Sequence, residues 1–400
     1  MTGAFVESLG HRGDGIVRTE AGVLHVPKVL PGERIDLRDG VLVSVLEPSA
    51  ERVEAFCAHY ASCGGCKFQH WQEEPYRAWK RGLLLAALAS QGIETDVTPL
   101  VDAHGAGRRR VTFHVRQIGG QWRAGFMEQK SHRLTALDSC PVLLPELQSA
   151  PQLAASFGPV LGNCDVAITA AANGIDVAIK AERQAVARRQ PALMAQFHEQ
   201  QLLRLSINGD AIASREPPVV MIGGAAVPLP VQSFLQATAL GEATLTQLVL
   251  ADMPKAKHVA DLFGGLGTFA LPLAGKTRVT SIDSDRDAVA ALERAVRTTQ
   301  GLKPLVAQLR NLFNAPLTFQ ELKDFDAVVL DPPRAGAETQ SRQLAKSRVG
   351  HVAYVSCDPQ TFARDAAILC EGGYELLKAT PVDQFKWTAH LELVAVFRKT

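Results

Sequence analysis

The sequence of 400 residues lacks a charge imbalance, with 42 basic side chains standing against 41 acidic ones. No general surplus is available to hold a polyanion or a membrane surface, so any such partner needs a local patch. A long apolar run is also missing. No uncharged stretch approaches the roughly 20 residues that cross a bilayer, and Glu7 and His11 stand where a secretory leader requires a basic flank and an apolar core. No internal repeat, low-complexity tract or coiled-coil pattern interrupts the chain. A cytoplasmic protein with no membrane partner is expected. In that reducing setting the seven cysteines read as metal ligands, catalytic groups or inert core residues rather than disulfides.

What is present is enough to bury a large core: 46% of the residues are hydrophobic, and the length exceeds the usual single domain. Residues 1–52 alternate short apolar runs with turn signals at Gly10, Gly13, Gly15 and Pro31-Gly32, which predicts a small β-barrel. Residues 53–235 open on a cysteine-rich segment. A helical period follows from Glu73 to Gln91, closed by Gly92, and then come strands such as Val111–Val115 and Ile175–Ile179 of a mixed α+β region. Residues 236–400 alternate helix and strand: Leu240–Leu250 helical, His258–Phe263 a strand, Ala288–Thr299 helical, Phe325–Leu330 and Val349–Val355 strands. That alternation predicts an α/β, Rossmann-like doubly wound parallel sheet.

Cys57, Cys63 and Cys66 follow a C-x5-C-x2-C spacing, and Gly64-Gly65 lets the backbone turn so that the thiolates converge. Cys140, in Asp138-Ser139-Cys140-Pro141, is the best fourth ligand, because a proline after a cluster cysteine recurs in iron-sulfur ligation. Four thiolates suit structural zinc as well as a cluster, and spacing alone leaves both open.

Four motifs fall at the ends of strands in the C-terminal part. Asp261-Leu262-Phe263-Gly264-Gly265-Leu266-Gly267 has the setting of a nucleotide-binding turn. Asp283, about twenty residues on, ends the next strand where an acid can bind both ribose hydroxyls; the competing role is a helix N-cap, which Ser284 or Asp285 could fill. Asp331-Pro332-Pro333-Arg334 forms a stiff turn at the same edge, and Arg334 takes the place of the aromatic residue that stacks on the base in adenine-amino methylases. Cys357 follows a buried strand. A thiolate there can add to carbon 6 of a uracil, making carbon 5 able to accept a methyl group from a sulfonium donor, after which a base removes the carbon-5 proton. Glu392, after Thr388-Ala389-His390, is the candidate base. Between Arg108 and Arg133 the chain carries seven Lys or Arg against one acid, Glu128. Interleaved with His114, Trp122 and His132, this run suits a phosphate backbone with unstacked bases.

The ordered set, with Phe234-Leu235-Gln236, Phe362-Ala363-Arg364-Asp365 and His390-Leu391-Glu392, resembles the RNA 5-methyluridine methyltransferase family, specifically its bacterial 23S ribosomal RNA branch, over nearly the whole chain. The resemblance implies S-adenosylmethionine as donor, with Gln236, Phe263, Asp283, Asn311 and Asp331 lining its site, Cys357 as nucleophile and Glu392 as base. It also implies a 4Fe-4S cluster on Cys57, Cys63, Cys66 and Cys140, an RNA-binding TRAM-like barrel at the N-terminus, and a flipped-out uridine of ribosomal RNA as substrate. Transfer RNA is the nearest rival substrate, and a noncatalytic RNA-binding factor the rival class. A radical use of the cluster is opposed by the x5 spacing and the fourth cysteine. A monomer is expected, since nothing in the sequence demands a dimer. Three positions depart from the family pattern: Asp358 for a common Asn, Thr238 for a frequent Asn, and Gly264 for a small Cys or Ser.

Overall fold

Ala327–Leu330 and His351–Ser356 are buried along their whole length, as strands covered on both faces must be. In the computed structural model, which describes residues 3–20 and 22–400, they form the middle of a nine-stranded sheet. Leu305–Leu309, Arg278–Asp283, His258–Leu262, Ala327–Leu330 and His351–Ser356 lie side by side and parallel. Chain order reverses at His258–Leu262, whose successor in sequence lies on one side and Ala327–Leu330 on the other. Ligands of open α/β sheets bind at such a switch point, outside the carboxyl ends of the strands. One face packs on Leu84, Leu344, Phe362 and Leu369, the other on Val249, Leu271, Ala288 and Leu292.

The sheet is not parallel throughout. The last strand, Glu392–Lys399, inserts antiparallel between His351–Ser356 and Tyr374–Asp383. Its direction matters for the site: an antiparallel strand puts its first residue, Glu392, at the edge where the parallel strands have their last ones. Beyond Tyr374–Asp383, Asp96–Val97 and Val101–Asp102 extend the sheet. These short strands and the helix Glu73–Ala89 come from the stretch 53–235, yet Leu84, Leu88, Val97 and Leu100 are buried in the core of the C-terminal sheet.

The middle of the chain forms a seven-stranded sheet with the order Leu134–Ala136, Gln121–Met127, Arg110–Ile118, Cys164–Ala171, Gly174–Lys180, Arg204–Ile207, Asp210–Ser214. Phe113, Phe157, Val177 and Phe197 fill its core. At the N-terminus, five antiparallel strands surround Val6, Val17, Val26, Val29 and Ile35. Ala4–Leu9 pairs at one end with Arg34–Arg38 and at the other with Gly15–Thr19, the curl that a small barrel requires. Residues 1, 2 and 21 of the stretch expected to form that barrel lie outside the described residues. Lys28 fixes this unit to the cysteine loop, its Nζ donating to the carbonyls of Tyr60 (2.6 Å), Ala61 (3.1 Å) and Cys63 (3.0 Å). Among the described residues no helix is long and apolar enough to cross a membrane.

Candidate active site and cysteine cavity

The carboxyl edge of the large sheet gathers Phe263, Asp283, Asp331 and Cys357, each at or just past the end of a parallel strand. Ser356 pairs with Leu393, so Cys357 and Glu392 come next to each other one step beyond that pair. Cys357 opens into a cavity of about 560 Å³. Its walls come from three parts of the chain: His11 and Arg12 of the N-terminal sheet, Gly64, Gly65 and Lys67 of the cysteine loop, and Arg334, Asp358 and His390 of the C-terminal part. Lys67 also bonds Asp14 at 2.8 Å, closing one wall.

Carboxyl groups crowd this edge, and burial acts on three of them. Burial pushes Glu392 up to about 7, against the opposing effect of Gln384, Lys80 and Arg334. It pushes Asp261 up to about 7 and, with Glu392 and Asp261 nearby, Asp331 well above the usual carboxylate range. The Cys357 thiol is pushed up to about 12 by burial first and then by Glu392 and Asp331, while Arg334 acts the other way. Arg334 is held by donating from Nη2 to His390 Nδ1 at 2.7 Å, which keeps that imidazole an acceptor; burial, followed by Arg334, takes His390 down to about 4.

On the donor side, Gly265 donates its N–H to Asp283 at 2.9 Å, closing the glycine turn onto the next strand. Phe263 has a φ of 62° and stands 5.4 Å from Phe313, ring to ring. Asn311 caps the turn after Leu305–Leu309 by accepting from Phe313 N–H at 3.0 Å. Gln236 is buried, its carbonyl accepting from Arg109 Nε at 2.9 Å. The N-cap role that competed for Asp283 falls to Asp285, which accepts from Asp287 and Ala288.

Each of the three departures has a local use. Asp358 caps the helix Pro359–Glu371, accepting from Gln360 N–H at 2.9 Å, so its charge faces a helix N-terminus and ranks last among the causes acting on Cys357. Arg364, a possible counter-charge for Asp358, instead pairs with Asp365 at 2.7 Å. Thr238 caps Ala239–Asp252 and donates to the Ala103 carbonyl at 2.6 Å. At Gly264 a Cβ would run into Ser281 Oγ and Asp261 Oδ2, so a side chain is excluded.

Cys57, Cys63, Cys66 and Cys140 line one cavity of about 190 Å³, whereas Cys164 starts a central strand. Burial pushes Cys66 up to about 11 and Cys140 up to about 12. Arg108 lines the same cavity, and its Nε and Nη2 are buried without an acceptor among the described residues. No three His, Cys, Asp or Glu side chains among the described residues gather closely enough for a single metal ion.

The basic run Arg108–Arg133 does not form one continuous surface. Arg109 is buried against Glu242, His114 and Arg116 face Asp165, and Arg133 pairs with Glu128. Trp122 packs into the central core over Gly158 rather than standing free for a base. Alternation sets Arg110, His114 and Arg116 on one strand face, with Arg123 opposite Arg116, but Asp165 and Thr169 take up the first three. Sequence reasoning also missed Lys80, which is fully buried and donates to Asp383 at 2.6 Å, while Tyr76 donates to the other oxygen at 2.6 Å. The signal was a lysine within the apolar stripe Tyr76, Lys80, Leu84 and Leu88.

Comparison with known proteins decides the family. The chain is 43% identical over 402 residues to an uncharacterised RNA methyltransferase of Brucella suis biovar 1, covering 98% of this chain and 97% of the relative. It is 33% identical to the 23S rRNA (uracil(1939)-C(5))-methyltransferase of Vibrio vulnificus, covering 98% of this chain and 95% of that one. A family model described as tRNA (Uracil-5-)-methyltransferase matches residues 231–400. The chain belongs to the RNA (uracil-5-)-methyltransferase family. The tRNA (uracil-54, C5)-methyltransferase of Pyrococcus abyssi, solved with S-adenosyl-L-homocysteine, shares the family fold, with a TM-score of 0.74 at 22% identity over 99% of each chain.

Proposed function

We propose that this protein uses S-adenosylmethionine to methylate carbon 5 of a uridine in 23S ribosomal RNA, with Cys357 as nucleophile and Glu392 as the proton acceptor. The observation that carries this reading is the meeting of Cys357 and Glu392 on adjacent antiparallel strand ends, with Cys357 open to the 560 Å³ cavity. Cys357 bonds to carbon 6 of a uridine turned out of its stack, which makes carbon 5 nucleophilic. The donor, when bound, supplies an electrophilic methyl group and a positive charge. That charge suits an edge that gathers the carboxyl groups of Asp261, Asp331 and Glu392. Gln236, Phe263, Asp283, Asn311 and Asp331 are assigned to hold the donor. Glu392 then takes the carbon-5 proton, the double bond re-forms, and Cys357 leaves as thiolate.

Ribosomal RNA is favoured by the end-to-end match to the Vibrio vulnificus relative, whose name specifies 23S rRNA. Cys57, Cys63, Cys66 and Cys140 are assigned to a 4Fe-4S cluster. Four thiols around one cavity suit a cluster, as they would zinc. The unpaired Arg108 beside them fits a group of net negative charge. Gly64, Gly65 and Lys67, between the cysteines and just after them, border the Cys357 cavity, which supports a structural and RNA-positioning role for the cluster.

The test is incubation with S-adenosylmethionine and 5-fluorouridine-substituted ribosomal RNA, followed by denaturing electrophoresis. Fluorine cannot leave as a proton does, so a covalent protein–RNA band is expected. A band with transfer RNA alone moves the substrate assignment and keeps the chemistry. No band with either, despite bound donor, contradicts the enzymatic reading.

A further inference from the structure

Gln384 lies between the two ends of the proposed reaction and is completely buried. Its Oε1 accepts the backbone N–H of Ala237 at 3.0 Å, which fixes which way the amide faces. The Nε2 therefore points to Gln236, donating to its Oε1 at 2.6 Å. Gln236 in turn has its own amide nitrogen left as a donor, and its backbone is pinned by Arg109. Gln384 also neighbours Glu392, which pairs across the sheet with Val382, two residues before Gln384, and its amide favours the charged form of that carboxyl group.

The close approach is built into the neighbouring helix. At Gly241 a Cβ would lie 2.6 Å from Gln384 Oε1 and 2.8 Å from its Cβ. Asp383, the preceding residue, is clamped by Lys80 and Tyr76, and Tyr76 Oη accepts the Trp387 N–H at 2.9 Å, so the backbone on both sides of Gln384 is fixed.

We propose that Gln384 is a positioning residue that ties the donor-binding amide of Gln236 to the proton-accepting carboxylate of Glu392. This rests on the uridine-methylation reading above. One side chain then sets two orientations: how Gln236 presents its N–H groups to the donor, and how Glu392 faces carbon 5 of the base.

The test uses the full chain and compares wild type with Gln384→Met, which keeps the volume and removes every hydrogen bond. It also uses Gly241→Ala, which displaces the same amide by one methyl group while favouring the helix. Both variants are expected to raise KM for S-adenosylmethionine and lower kcat, each by about tenfold for Gln384→Met and less for Gly241→Ala. With unsubstituted ribosomal RNA, both should also accumulate a covalent protein–RNA adduct, because methyl transfer outruns a misaligned proton removal. A side chain needed only for folding would lower activity in proportion to the folded fraction and leave no adduct. That result, or wild-type kcat and KM in both variants, overturns the proposal. If wild type itself forms no adduct with 5-fluorouridine RNA, the methylation reading falls, and this one with it.

Discussion

Two cavities in this molecule are lined by cysteine, and their neighbours separate them. Cys357 stands alone beside Glu392 and Asp331, with Arg334 the one cation among the groups that shift it. Cys57, Cys63, Cys66 and Cys140 stand together, with Arg108 in the wall and Lys28 bonded to the loop that carries them. A lone thiol among carboxylates stays neutral until a substrate and a base are in place. Several thiols next to unpaired cations suit a permanently anionic group. In the proposed function the same side chain serves transient bonding in one place and permanent ligation in the other.

The sharpest way to break this contrast is to exchange thiols for inert groups one cavity at a time. Cys357→Ala should lower methyl transfer by more than about 10⁴-fold and abolish the fluorouridine adduct. Binding of S-adenosylmethionine, followed by calorimetry, should stay within about threefold of wild type, because no donor-site residue is touched. Residual turnover within a hundredfold of wild type would remove Cys357 from the mechanism.

Glu392→Gln should cost about 10² to 10⁴-fold in turnover. It differs from Cys357→Ala in where the reaction stops: a methylated covalent adduct should accumulate on ordinary RNA, visible by denaturing electrophoresis and mass spectrometry. If no adduct accumulates and turnover persists, another group accepts the proton.

In the second cavity, Cys63→Ser should act on stability and RNA affinity instead of chemistry. Its expected signature is a lower melting temperature, loss of the visible absorbance of a bound cluster, and weaker RNA binding. A variant that binds RNA normally but stalls during methyl transfer would contradict the contrast. Lys80→Met tests the frame beneath both cavities. It leaves the Asp383 carboxylate buried without its ion-pair partner, at a cost of about 3 kcal/mol in unfolding free energy by denaturant titration. Asp383→Asn added to it should recover part of that loss.

Much of the catalytic edge was legible because each motif there ends a strand. The alternation of buried strand and helix predicts Asp261, Asp283, Asp331 and Cys357 on one side of the sheet. Glu392 was legible as a residue type after a polar turn, but its nearness to Cys357 depends on the last strand running antiparallel, and no local pattern states strand direction. The convergence of Cys140 on the other three cysteines rested on a following proline and on family resemblance, since 73 residues separate Cys66 from Cys140 in between. The basic run is less free than its charge count suggests, because Arg109, just before the strand, and Arg110, its first residue, became structural partners of Glu242 and Thr169. Gln384 gave no signal at all, because its partners Gln236 and Ala237 lie almost 150 positions away in the chain.

The smallest expected effect, and the one that bears most directly on the lone thiol, is the pH dependence. Glu392 must be ionised to accept a proton, and burial has raised its carboxyl group to about 7, so its active form grows as pH rises through that value. Cys357, raised to about 12, gains thiolate over the same interval and acts with the same sign. Single-turnover release of methylated RNA from the adduct should therefore rise about tenfold between pH 6 and pH 8, from the ionised fraction of Glu392 alone. Glu392→Gln should lose the step near pH 7 in its residual product release while keeping the rise in adduct formation that belongs to the thiol. If wild type were instead fastest at pH 6, the carboxyl group would be working as an acid, and the division of labour between Cys357 and Glu392 would have to be redrawn.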